Sequence, residues 1–105
     1  MKIENLTEHP VIILDKQNKI IMHIPPSGQV ARVKKVTERV DQMGAIPISS
    51  ARFAKIKGLP DKKRNCVYIV SRMVHEAAQG REDLYYPSEK VYKDKKCIGC
   101  KSLGR

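Results

Sequence analysis

The chain has 105 residues and a mass of 11.9 kDa, which is one domain's worth of core and too little for two. Its 21 basic side chains against 11 acidic give a net charge of +10, a field that attracts polyanions: DNA, RNA, an acidic protein or a phosphorylated small molecule. No apolar run reaches the about 20 residues of a membrane span, the acidic start MKIENLTEHP is unlike a secretory leader, and three cysteines, an odd count, argue against a disulfide framework and for a reducing, cytoplasmic setting.

Ile and Val number twenty against five Leu, a balance that favours strands. Taken in order, VIILD (11–15) and KIIMHI (19–24) flank the polar Lys16-Gln17-Asn18 and predict a hairpin. Pro25-Pro26-Ser27-Gly28 must turn, because neither proline serves a central strand. QVARVKKV (29–36), AIPISS (45–50) and RFAKIKGL (52–59) read as further strands, the last stopped by Gly58-Leu59-Pro60-Asp61. CVYIV (66–70) is a continuous apolar run of the kind buried on both faces. Ser71 then caps a helix whose Val70, Met73, Val74, Ala77 and Ala78 form one apolar stripe, with Gly80 placed to end it. DLYY (83–86), KVYKD (90–94) and CIGCKSL (97–103) return to extended character. The expected fold is a single α+β domain over 1–105, mostly β: a small antiparallel sheet or barrel with one short helix at about 71–80.

Charge is uneven along the chain. Residues 51–105 hold fourteen basic and six acidic side chains. Two basic clusters dominate, Arg52 to Arg64 and Lys90 to Arg105. Tyr85, Tyr86 and Tyr92 lie among them, a thin supply of rings for stacking nucleic-acid bases. Cys97-Ile98-Gly99-Cys100 has zinc-like spacing but lacks an evident second ligand pair, so no metal is expected. No nucleophile elbow and no Gly-rich phosphate loop occurs, and Glu82-Asp83 beside Arg81 suggests an ion pair more than an acid–base couple. Neither a catalytic set nor a cofactor is therefore expected. The features that suit phosphate sit at turns and at the helix ends: Ser27 with Gly28 and Arg32, Ser71 with Arg72, and Arg81 just after the helix. Capping and turn chemistry alone would use several of these in the same way. If residues 3–9 form a strand, Asn5, Thr7 and His9 share one face, either a ligand wall or an exposed edge.

The order Asn5-Leu6-Thr7-Glu8-His9-Pro10, Pro25-Pro26-Ser27-Gly28 with Ala31-Arg32, Gly58-Leu59-Pro60, Tyr68-Ile69-Val70-Ser71 and Arg81-Glu82-Asp83-Leu84 resembles a family of small, largely uncharacterised proteins of phages, prophages and actinobacteria. The match spans nearly the whole chain, and Asn5, Thr7, His9, Pro26, Gly28, Arg32, Ser71, Arg81 and Asp83 take its polar and turn positions. By analogy with small phage proteins that sequester nucleotide signals of host immunity, the resemblance implies a role in the host cytoplasm. There the chain would capture, without cleaving, a phosphorylated, nucleotide-like ligand, as a homo-oligomer that builds its pocket at subunit contacts. The ligand-binding residues expected are Asn5, His9, Ser27, Arg32, Ser71, Arg81 and Asp83. The alternative is a basic accessory module that holds DNA or RNA by its phosphates.

Overall fold

The architecture follows from the two apolar faces of the 66–70 run. In the computed structural model, which describes residues 1–105, eight strands and one helix follow in order: β1 (Lys2–Asn5), β2 (Val11–Leu14), β3 (Ile20–Ile24), β4 (Lys35–Met43), β5 (Ile46–Phe53), β6 (Cys66–Ile69), α1 (Arg72–Ala77), β7 (Leu84–Lys93) and β8 (Lys96–Gly104). Six strands form one sheet in the order β1-β6-β7-β8-β2-β3. Its hairpins β2–β3 and β7–β8 are antiparallel, while β1–β6, β6–β7 and β8–β2 pair in parallel. The parallel β6–β7 step requires a crossover, which α1 supplies. The mostly-β α+β class and the single short helix are those expected from the sequence.

Alternation along β6 splits the interior in two. Cys66, Tyr68 and Val70 join Leu6, Ala31, Val74 and Leu84 on one side, and Ile69 joins Val11, Ile24 and Cys100 on the other. Tyr68 is fully buried with its hydroxyl donating to the Asp61 carbonyl (3.4 Å), and burial, followed by contact with Cys66, pushes its pKa up to about 12. An irregular strap closes the first core. Arg32 and Lys57 exchange backbone hydrogen bonds (both 2.8 Å), and Val33, Ile56 and Leu59 pack inward from it. Gly58 is required there: its φ is +81°, and a Cβ would run into the Val30 carbonyl.

The elements differ from the sequence expectation in their bounds. Residues 29–34 belong to the strap, so the strand expected at 29–36 begins at Lys35 and runs on through the charged 37–43. The strand expected over 52–59 is the end of β5 and stops at Phe53. The helix occupies only 72–77; Ser71 caps it by accepting from the Val74 N–H (3.2 Å), and Gly80 lies two residues beyond the Ala78 C-cap at φ +98°. The extended segments 83–86 and 90–94 are parts of one strand, β7, which runs through Pro87. Beyond Tyr85 the β6 side of β7 is open, so the missing N–H of Pro87 breaks no ladder bond. No helix is long and apolar enough to cross a membrane.

The strands β4 and β5 form a separate two-stranded sheet that springs from the strap, and neither has more than a fringe contact with any other element. This arm gives the chain its extended outline of 55 × 38 × 21 Å and a radius of gyration of 16.9 Å, against about 13 Å for a compact chain of this length.

Candidate functional site

A cavity of about 630 Å³ opens where the 7–12 segment, the start of α1 and the β7–β8 hairpin meet. It is lined by Thr7, His9, Ser71, Arg72, Tyr86, Ser88 and Lys90, with Glu89, Cys97 and Cys100 beside them. Three local features shape it. Tyr86, Ser88 and Lys90 are alternate residues of β7, and all three reach its wall. Tyr86 is wedged from three sides: the His75 ring meets it edge-on at 4.8 Å, the Arg72 guanidinium lies 5.6 Å from its centroid, and Gly104 opposite leaves the space that a Cβ would take. Glu89, at the cavity wall, adopts a left-handed φ of +52° inside the strand and accepts a hydrogen bond from the Ser102 hydroxyl (2.6 Å).

Of the residues expected to bind a ligand, the cavity gathers His9 and Ser71. Ser71 acts as an acceptor in the cap, so its own O–H remains a donor. The others are placed elsewhere, for identifiable reasons. Asn5 ends β1 instead of continuing a strand to His9, and its side chain is buried. Its amide donates to the His9 carbonyl (2.8 Å) and the Ile24 carbonyl (3.1 Å), and its oxygen accepts from the Thr7 N–H (3.0 Å) and hydroxyl (2.6 Å). With both ends engaged, Asn5 shapes the 6–10 loop from behind and cannot face a ligand. The single strand face for Asn5, Thr7 and His9 is thereby corrected to a loop that sends Thr7 and His9 into the cavity.

Ser27 is tied into its own turn, exchanging 3.3 Å contacts with Gln29, and is not a cavity residue. Arg32 pairs with Glu8 on the surface. Arg81 holds Asp83 through both carboxylate oxygens (2.8 Å each) and donates to the Pro60 carbonyl (3.0 Å). Asp83 is buried, and the Arg81 hydrogen bonds hold its carboxyl below the usual carboxylate range while its presence raises the guanidinium. This ion pair fastens the strap to the sheet, and neither Arg81 nor Asp83 lines the cavity.

The cationic groups that do reach the cavity are Arg72 and Lys90. Arg72 makes a loose, exposed contact with Glu76 (3.5 Å), worth little and easily exchanged, and Lys90 takes part in no salt bridge. Arg72 was visible in the sequence as the neighbour of the capping serine. Lys90 and Tyr86 line one cavity because a single strand runs from 84 to 93, where the sequence showed two separate extended segments, 83–86 and 90–94. Cys97 is exposed and Cys100 buried, with burial pushing the Cys100 thiol up; no third His, Cys, Asp or Glu joins them in a metal-sized group. No protein-family model, no curated protein and no solved structure matches the chain.

Proposed function

We propose that the chain captures a phosphorylated, nucleotide-like small molecule in this cavity and does not cleave it. The observation that carries the reading is the convergence of two exposed cations, Arg72 with its loose Glu76 contact and Lys90 with no salt bridge, with the fixed ring of Tyr86 and the hydroxyls of Thr7, Ser71 and Ser88 in one cavity. The volume lies within the roughly 300–1,000 Å³ typical of small-ligand sites. Arg72 and Lys90 give charge-assisted hydrogen bonds to phosphate, the wedged Tyr86 side chain forms a fixed wall for the ligand, and His9 with Thr7 reads a polar edge. The resemblance to phage proteins makes nucleotide signals of host defence the first ligands to try.

Calorimetry against a panel of cyclic and linear nucleotides tests this. Each of Arg72→Ala and Lys90→Ala is expected to cost about 1.5–3 kcal/mol of binding, with melting almost unchanged because both side chains are exposed. Arg32→Ala, outside the cavity, should leave affinity as it was. Undiminished binding in the Arg72→Ala/Lys90→Ala double variant, or turnover of the ligand, overturns the proposal.

A second reading has its own observation. Lys90, Lys93, Lys95, Lys96 and Lys101 lie along the β7–β8 hairpin, and none forms a salt bridge. A two-stranded ribbon of this kind fits a DNA major groove. It predicts binding of random-sequence DNA that weakens steeply with salt, with a log–log slope of about −0.9 per phosphate contacted. A small ligand in the cavity loses much less.

A further inference from the structure

The β4–β5 arm has an apolar face with nothing on it. The register pairs Met43 with Ile46 and Asp41 with Ile48, and the alternation of β5 puts Ile46, Ile48, Ser50 and Arg52 on one side. Val36 and Glu38, opposite Arg52 and Ser50, share that side, and Val40 sits at the bulge between Arg39 and Asp41. Val40, Met43 and Ile46 are 60%, 64% and 60% exposed. An isolated two-stranded hairpin is marginal in water, since it has no layer against which to bury its apolar side. The whole chain exposes 7912 Å², roughly 2,000 Å² more than a compact monomer of its mass. That surplus exceeds the about 800 Å² that each partner commits to a standard interface.

We propose that this face is where two copies of the chain associate, arm against arm. The charges decide in favour of a second copy. The arm carries three basic and two acidic side chains, whereas the chain as a whole is at +10. The excess that makes two copies repel lies mostly in residues 54–105, with thirteen basic and six acidic side chains, outside the arm. Glu38 and Arg52 already pair across the arm (3.1 Å) on the same side as the apolar residues. The face holds an apolar patch together with two acids, Glu38 and Asp41, and one base, Arg52, and it can complement itself under a two-fold axis with Glu38 of one copy meeting Arg52 of the other. The other exposed apolar strip, Ile20, Ile21 and Met22 on the sheet-edge strand β3, belongs to a strand already paired with β2 in the six-stranded sheet, whereas the arm has no other layer. The inference stands apart from the cavity reading, and neither one's failure touches the other.

Sedimentation equilibrium of the full chain tests it. The native protein should be a dimer at micromolar concentration, and its dimer fraction should rise with salt as the repulsion between the two +10 bodies is screened. Met43→Gln/Ile46→Thr keeps strand-compatible residues and should weaken dimerisation about 100-fold, while circular dichroism and melting of the monomer stay the same. Ser49→Lys, on the opposite face of the arm, should leave dimerisation unchanged. A native protein that remains monomeric at high concentration overturns the proposal. So does a dimer that is indifferent to Met43→Gln/Ile46→Thr but broken by Ser49→Lys. Binding of the monomer to anionic phosphatidylglycerol vesicles, lost in the same double variant, would overturn it by assigning the arm to a membrane surface.

Discussion

The molecule contains two long hairpins, β4–β5 and β7–β8, built on the same local rules and put to opposite uses. Each has a two-residue connection with left-handed backbone: Gly44 at φ +58° in the first, Asp94 and Lys95 at φ +51° and +67° in the second. Each carries one register shift. What separates them is what the strands meet. β7 joins β6 and β8 joins β2, so that Leu84 and Cys100 are buried and the free end of the hairpin is left for lysines. β4 and β5 meet only each other. A hairpin's turn and pairing make it a hairpin; its place in the sheet decides whether its apolar residues become core or surface.

The largest expected effect falls where the embedded hairpin is fastened. Asp83 lies just before β7, accepts the Arg81 fork, and gives its carbonyl to the Tyr68 N–H (2.9 Å), so that strap, β6 and β7 meet at one residue. Arg81→Ala leaves a buried carboxylate without its partner, and we expect a loss of about 3–5 kcal/mol, read from urea unfolding. The same pair gives a pH dependence. Because the folded pKa of Asp83 is depressed, its contribution is fully present above the unfolded value of about 3.9 and disappears as pH falls through the folded value. The native protein should therefore lose stability in the acid range below about pH 4, and Arg81→Ala should lose less there because the contribution is already gone. Equal acid slopes in the two proteins would dissociate the ion pair from the anchoring of β7.

A paired truncation sharpens the contrast. Leu84→Ala, at a fully buried position, should cost about 2–4 kcal/mol. Met43→Ala, at an exposed position of the arm, should change the stability of the monomer by no more than about 0.5 kcal/mol. A large loss at Met43 in dilute, monomeric protein would mean that the arm folds back on the body and the two hairpins are not different in kind.

Legibility in the sequence followed the same division. The β2–β3 hairpin, the doubly buried 66–69 strand and the Ser71 cap were readable because local pattern and tertiary role agree there. The outer half of β4 was not, since Thr37 to Gln42 is a charged stretch whose strand state is set by pairing with β5 and not by burial. For the site, chain order exposed His9, Ser71 and the Arg81–Asp83 pair. It could not say that Asn5 turns inward, because a buried asparagine and a ligand-facing one differ only in which carbonyls lie nearby. Nor could it bring Lys90 to Arg72, which takes an unbroken β7 and the α1 crossover together.

The smallest effect discriminates most cleanly, because one chemical operation can be applied to both turns. Lys95 holds a left-handed conformation that costs an ordinary L-residue about 1 kcal/mol and glycine nothing. Lys95→Gly should therefore stabilise the embedded hairpin by up to about 1 kcal/mol, a rise of roughly 4–8 °C in Tm for a domain of this size. Gly44→Ala imposes the same penalty in reverse, at φ +58° with open space around the new methyl group, so that strain is the whole of its effect. If the arm unfolds independently of the body, that strain is confined to the arm. The main melting transition should stay where it is, while amide exchange speeds up by about fivefold across residues 36–52, the factor that about 1 kcal/mol corresponds to. If both substitutions move the same transition by similar amounts and in opposite directions, the two hairpins belong to one cooperative unit, and the arm's separateness in space carries no separateness in stability.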